Sequence, residues 1–141
     1  MGFLTAQDEQ AVKREFENLT GPVKLTVFAS ELGPESNAET VALIKEVAAL
    51  SDQISVTVLN PHIERDETAA YGVSVTPAVA VEGAKDYGIR FLGVPAGYEF
   101  SNLIDSIVAV SRGEAQLSDA TKEALAGLTE DVRIKVFATP T

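Results

Sequence analysis

The sequence predicts an α/β fold, a central mixed sheet with helices on both faces. Three observations lead there. Segments with apolar residues at helical spacing alternate with short β-branched runs along the 141 residues. The first two such runs are separated by a helical stretch, as in a parallel βαβ crossover. The last two are separated by a tight turn, as in an antiparallel hairpin, and a further helix follows.

The elements follow in order. Residues 5–19 carry Ala11, Val12, Phe16 and Leu19 at helical spacing, with Thr5 as N-cap and Gly21-Pro22 as the stop. "VKLTVFAS" (23–30) alternates and reads as a strand. "ELGPE" is a turn. Ser36 and Glu39 are spaced as a capping box ahead of a helix through Val41, Leu43, Ile44, Val47 and Leu50. "QISVTVLN" (53–60) is a second strand, and 61–73 is a loop holding one or two helical turns. "PAVAVEG" and "GIRFLG" (88–93) form the hairpin, with Pro77 at the strand entry where proline is tolerated and where an X–Pro bond can be cis. "VPAGYEF" is a turn, and 101–113 is a helix that ends on Gly113. This order is that of a thioredoxin-like fold with an extra N-terminal helix.

The last segment stands outside that unit. "AVKREFENLTGPVKLTVFAS" (11–30) aligns without gaps on "ATKEALAGLTEDVRIKVFAT" (120–139). Lys13 meets Lys122, Leu19-Thr20 meets Leu128-Thr129, and Val27-Phe28-Ala29 meets Val136-Phe137-Ala138. We therefore expect residues 1–113 to form one unit and residues 114–141 to be the first helix and strand of a truncated second. A lone strand cannot bury its apolar face. It must pair with the first sheet, pair between molecules through residues 131–141, or await further chain.

Composition narrows the function. The chain is 45% hydrophobic and 23% charged, and 11 Lys+Arg against 21 Asp+Glu give a net charge of −10. Such a surface repels phosphate backbones, so nucleic acid is not an expected partner. No apolar run approaches a membrane span, and "MGFLTAQDEQ" has neither a signal-peptide pattern nor the Ser or Thr that a myristoylation site wants at position six. The expectation is a soluble, cytoplasmic protein with no membrane partner. There is no cysteine, which removes disulfides, thiolate metal ligation and cysteine nucleophiles from this chain.

The segments "GPVKLTVFAS", "YGVSVTPAVAV", "DYGIRFLGVPAGYEF" and "LTEDVRIKVFATPT" together resemble the N-terminal part of the glutaredoxin-like protein disulfide oxidoreductases, which carry two tandem thioredoxin-fold units. The N-terminal domain of the alkyl hydroperoxide reductase flavoprotein is similar. The resemblance implies a cis-proline at Pro77, with Thr76 offering backbone groups to a bound peptide. It also implies a Cys-x-x-Cys between the first strand and the next helix. There this sequence has Pro34, Glu35, Ser36 and Asn37, with Pro34 and Asn37 at the cysteine positions. A hydroxyl lacks the thiolate that exchange chemistry needs.

Other candidates carry less. His62, the single histidine, has Glu64, Asp66 and Glu67 nearby and reads as a solvated loop residue rather than a metal ligand or general base. Ser30 and Ser36 have no histidine placed to activate them. Gly93 and Gly97 read as turn glycines, not a phosphate loop. Tyr71, Tyr87 and Tyr98 fall near the turns flanking Pro77. No catalytic residue, metal or cofactor is expected here. Two readings of function stand. In one, the chain is a redox-silent unit supporting a catalytic thioredoxin-fold unit, of the same protein or of a partner, so that the parent is an oxidoreductase. In the other, it is a free-standing peptide-binding module.

Overall fold

The computed structural model describes residues 2–139. Helix α1 (Ala6–Phe16) begins on Thr5. The Thr5 hydroxyl accepts from the Asp8 N–H at 3.2 Å, and the Asp8 carboxylate takes the Thr5 N–H at 3.0 Å. That reciprocal box satisfies two N–H groups the helix cannot pair itself. The Thr5 side chain, more than its backbone, holds the Asp8 carboxyl below its usual range. The helix ends at Phe16, and Leu19 is buried in the turn beyond it.

Strands β1 (Val23–Phe28), β2 (Ile54–Leu59), β3 (Ala78–Glu82) and β4 (Ile89–Leu92) make one sheet in the order β2-β1-β3-β4. β1 and β2 run parallel, joined over helix α2 (Glu35–Ala48), and the other pairs are antiparallel. Central β1 is covered on both sides. Leu25 and Val27 lie opposite Val81 and Val79 and face a core shared with Val12, Phe16, Leu43, Ile44, Leu103 and Ile107. Phe28, opposite Ala78, belongs to a smaller cluster with Leu59, Ala80, Tyr71 and Val73 on the other face. Full burial of a side chain such as Leu25 or Ile44 contributes about 1.5–3 kcal/mol, which is why a strand of alternating character sits at the centre. Short helix α3 (Arg65–Ala70) leads into Tyr71, whose ring meets Phe28 edge-on at 5.3 Å. Helix α4 (Tyr98–Arg112) covers the larger core and ends at Gly113 with φ 70°.

Three sequence expectations are corrected. The α2 cap is Pro34, with no side-chain capping bond, and Ser36 lies inside the first turn. The Gly33 N–H already closes a turn onto the Ser30 carbonyl, so the chain enters the helix earlier than a Ser36–Glu39 box allows. Helix α4 starts at Tyr98 rather than 101, because Gly97 adopts φ 61° and brings the chain straight into the helix. The expected C-terminal strand does not form within the described residues. Helix α5 (Asp119–Ala126) does, capped by Ser118, but residues 131–139 make neither helix nor strand and lie exposed. The alternation is there, yet no sheet edge among the described residues takes it up; residues 140 and 141 lie outside the described residues. No helix among the described residues is long and apolar enough to cross a membrane.

Candidate functional site

The turn after β1 and the segment before β3 meet at the end of the sheet. Of the four residues expected at the dithiol positions, Pro34 and Glu35 are exposed and Ser36 is half-buried, while Asn37 is only 2% exposed. Its Nδ2 donates to the Ser30 carbonyl at 3.0 Å and to Thr76 Oγ1 at 3.4 Å. Its Oδ1 is buried without a partner. Gly33 makes room for this amide: a Cβ there would fall on Asn37 Nδ2. An asparagine is thus tucked under the turn.

Thr76 is joined to Pro77 by a cis peptide bond. Pro77 is buried, and its carbonyl accepts from the Gly93 N–H at 2.9 Å, tying this segment to the turn after β4. Just before it, Ser74 and Val75 are exposed and Thr76 is half-buried. Among the described residues, no hydrogen bond engages the backbone N–H or C=O of Ser74, Val75 or Thr76. That leaves a short bent strip with free backbone donors and acceptors.

Two clefts open here. One, of about 510 Å³, is lined by Pro34, Asn37, Ala38, Val41 and Val58 among others. The second, of about 310 Å³, is lined by His62, Arg65, Val73, Ser74, Val75 and Thr76 among others. The Asn37–Thr76 contact links the walls of the two. His62 is exposed, and its backbone N–H donates to Asn60 Oδ1 at 3.0 Å. Among the described residues, no group of three or more metal-ligating side chains is placed to hold an ion. Tyr98 is 77% exposed and Tyr87 42%, while Tyr71 is bound into a cluster with Lys24, Glu82 and Arg90. Neither the bridging role of Asn37 nor the place of Arg65 in a cleft wall is legible in the sequence. Each depends on segments brought together only by the fold.

No protein-family model matches the chain. It is 26% identical over 140 residues to a subunit of alkyl hydroperoxide reductase from Staphylococcus epidermidis, covering 98% of this chain and 25% of that one. Among solved structures, the N-terminal domain of alkyl hydroperoxide reductase from Enterococcus faecalis superimposes with a TM-score of 0.82 at 23% identity, over 91% of this chain and 62% of that chain. A protein disulfide oxidoreductase from Aeropyrum pernix gives a TM-score of 0.77 at 28% identity, over 88% and 55%. The fold is thioredoxin-like. This thioredoxin-like unit is similar to the N-terminal domain of the first and to about half of the second, and it spans a quarter of the length of the curated relative. In such a unit the two sides of the site described above are the β1–α2 turn and the approach to β3. No residue of this chain supplies a thiol to either side.

Proposed function

We propose that the chain is a redox-silent, cytoplasmic N-terminal unit of a thiol–disulfide oxidoreductase, and that it supports a catalytic thioredoxin-fold unit carrying the dithiol. The observation that carries this reading is Asn37. A buried amide, hydrogen-bonded to the Ser30 carbonyl, stands where the resemblance implies a cysteine, and an amide supplies no thiolate. Similarity over nearly the whole chain to one part of longer proteins supports a division of labour between units. The test is disulfide reduction in an insulin turbidity assay. The chain alone is expected to give the blank rate, and a fusion continuing into a dithiol-bearing unit is expected to reduce insulin. Reduction by the chain alone would sink the proposal.

A second reading is favoured by a separate observation, the unengaged backbone of Ser74–Thr76 beside Pro77. Such a strip can accept an extended polypeptide by strand addition, whether the chain stands free or serves a catalytic unit. Binding of unstructured peptides to the chain, measured by fluorescence anisotropy, tests it. Absence of binding up to millimolar peptide would remove it.

A further inference from the structure

We propose that the cleft walled by His62 and Arg65 selects extended peptides with an acidic side chain. The inference rests on the second reading above, that the Ser74–Thr76 strip pairs with an extended segment. Val75 and Thr76 belong both to the strip and to the wall of the cleft of about 310 Å³. Successive side chains of a strand point to opposite sides, so a segment paired along the strip sends every second side chain toward this wall.

The wall is cationic in a chain of net charge −10. Arg65 Nε donates to the His62 carbonyl at 3.3 Å, which fixes the base of the guanidinium at the rim. Among the described residues, no carboxylate pairs with Arg65. The three acids closest in sequence do not line the cleft. Glu64 accepts the Asn60 N–H at 2.7 Å, and Asp66 and Glu67 lie exposed on α3. The Thr68 hydroxyl donates to the Glu64 carbonyl at 2.7 Å, while Ser74 and Thr76 also line the cleft and keep their hydroxyl protons free. A planar fork with free N–H groups is matched by a carboxylate, which accepts from two of them. Val73 and Val75 supply an apolar wall for the methylenes of a glutamate.

The test uses the full chain and three labelled heptapeptides that differ only at the central residue, Glu, Gln or Lys. Anisotropy at low salt is expected to give the Glu peptide an affinity about three- to tenfold above the Gln peptide, with Lys weakest. Arg65→Gln is expected to erase that preference. Arg65→Lys, which keeps the charge but not the fork, is expected to retain part of it. Equal affinities for the Glu and Gln peptides would overturn the inference and leave the strip reading in place. So would a preference that survives Arg65→Gln. Full displacement of the Glu peptide by an equal concentration of free glutarate would overturn it too, because the cleft would then take a small dicarboxylate rather than a peptide. No binding of any of the three peptides would overturn both the inference and the strip reading.

Discussion

Asn37 Nδ2 stands 3.0 Å from the Ser30 carbonyl and 3.4 Å from Thr76 Oγ1, so one amide spans the end of β1, the first turn of α2 and the approach to β3. The shorter contact is the stronger hydrogen bond, and the longer one chiefly positions Thr76. The Oδ1 has no partner, and an unsatisfied buried acceptor costs about 1–3 kcal/mol. The amide therefore serves mainly through its donor.

That asymmetry makes Asn37→Asp informative. An ionised carboxylate offers only acceptors, so it would face the Ser30 carbonyl with nothing to donate. At pH 7 the variant is expected to lose about 3 kcal/mol, the scale of an uncompensated buried charge. Burial and the facing carbonyl raise the folded-state pKa of the new carboxyl above an unfolded value of about 3.9. The penalty is therefore absent below that unfolded value and grows as the pH rises above it. Urea unfolding of both proteins at pH 7 and near pH 3.5 measures the difference. An equal deficit at the two pH values would refute the account.

Gly33 and Asn37 should be energetically coupled. A Cβ at position 33 meets Asn37 Nδ2, and it also comes within 3.1 Å of the Ser30 carbonyl. Gly33→Ala is expected to destabilise the fold by about 1–3 kcal/mol, as overpacking does. In an Asn37→Ala background the amide is gone and only the milder carbonyl contact remains, so the same substitution should cost less. A double-mutant cycle by denaturant unfolding reads the coupling; additive effects would place the strain elsewhere.

How much of this is legible in the sequence differs from residue to residue. The Thr5 cap and the four strands follow from local signals, since capping and alternation are properties of adjacent residues. Ser36 and Glu39 satisfy the same capping pattern, yet the helix begins earlier because Asn37 lies inside its first turn, reaching Ser30 and Thr76. Residues 131–139 repeat the alternation of β1 and form no strand, because a strand exists only beside a partner. The Asn37–Thr76 contact joins residues 39 apart in the chain and has no sequence signature.

The hairpin carries the clearest acid-sensitive interaction. Arg90 grips Asp86 through both terminal nitrogens, at 2.9 and 2.6 Å, and this hydrogen bonding brings the Asp86 carboxyl down to about 2. A depressed folded-state value means that the stabilisation is present above the unfolded pKa, about 3.9, and is lost as the pH falls toward 2. Following the Asp86 carboxyl carbon by NMR during an acid titration should show its midpoint near the lower value. Arg90→Gln is expected to bring that midpoint back toward the ordinary range. An unchanged midpoint in the variant would mean that the pair does not set it.

The C-terminal segment separates stability from association. Every residue from Glu114 to Thr139 is exposed, and α5 contributes no buried side chain. Removing residues 117–141 is therefore expected to change the unfolding free energy by no more than about 0.5 kcal/mol, the scale of surface changes. Association is a different matter. Val132, Ile134, Val136 and Phe137 are 63%, 81%, 84% and 92% exposed, and the first three alternate with Arg133 and Lys135 in the pattern of a strand. A segment of that kind, left outside the sheet of its own chain, offers its backbone to another chain. Sedimentation velocity over a concentration series should show the full chain self-associating and the shortened chain remaining monomeric. A concentration-independent monomer for both would remove self-association from the properties of this segment, while a large drop in the unfolding midpoint on truncation would show that α5 packs on the first unit after all.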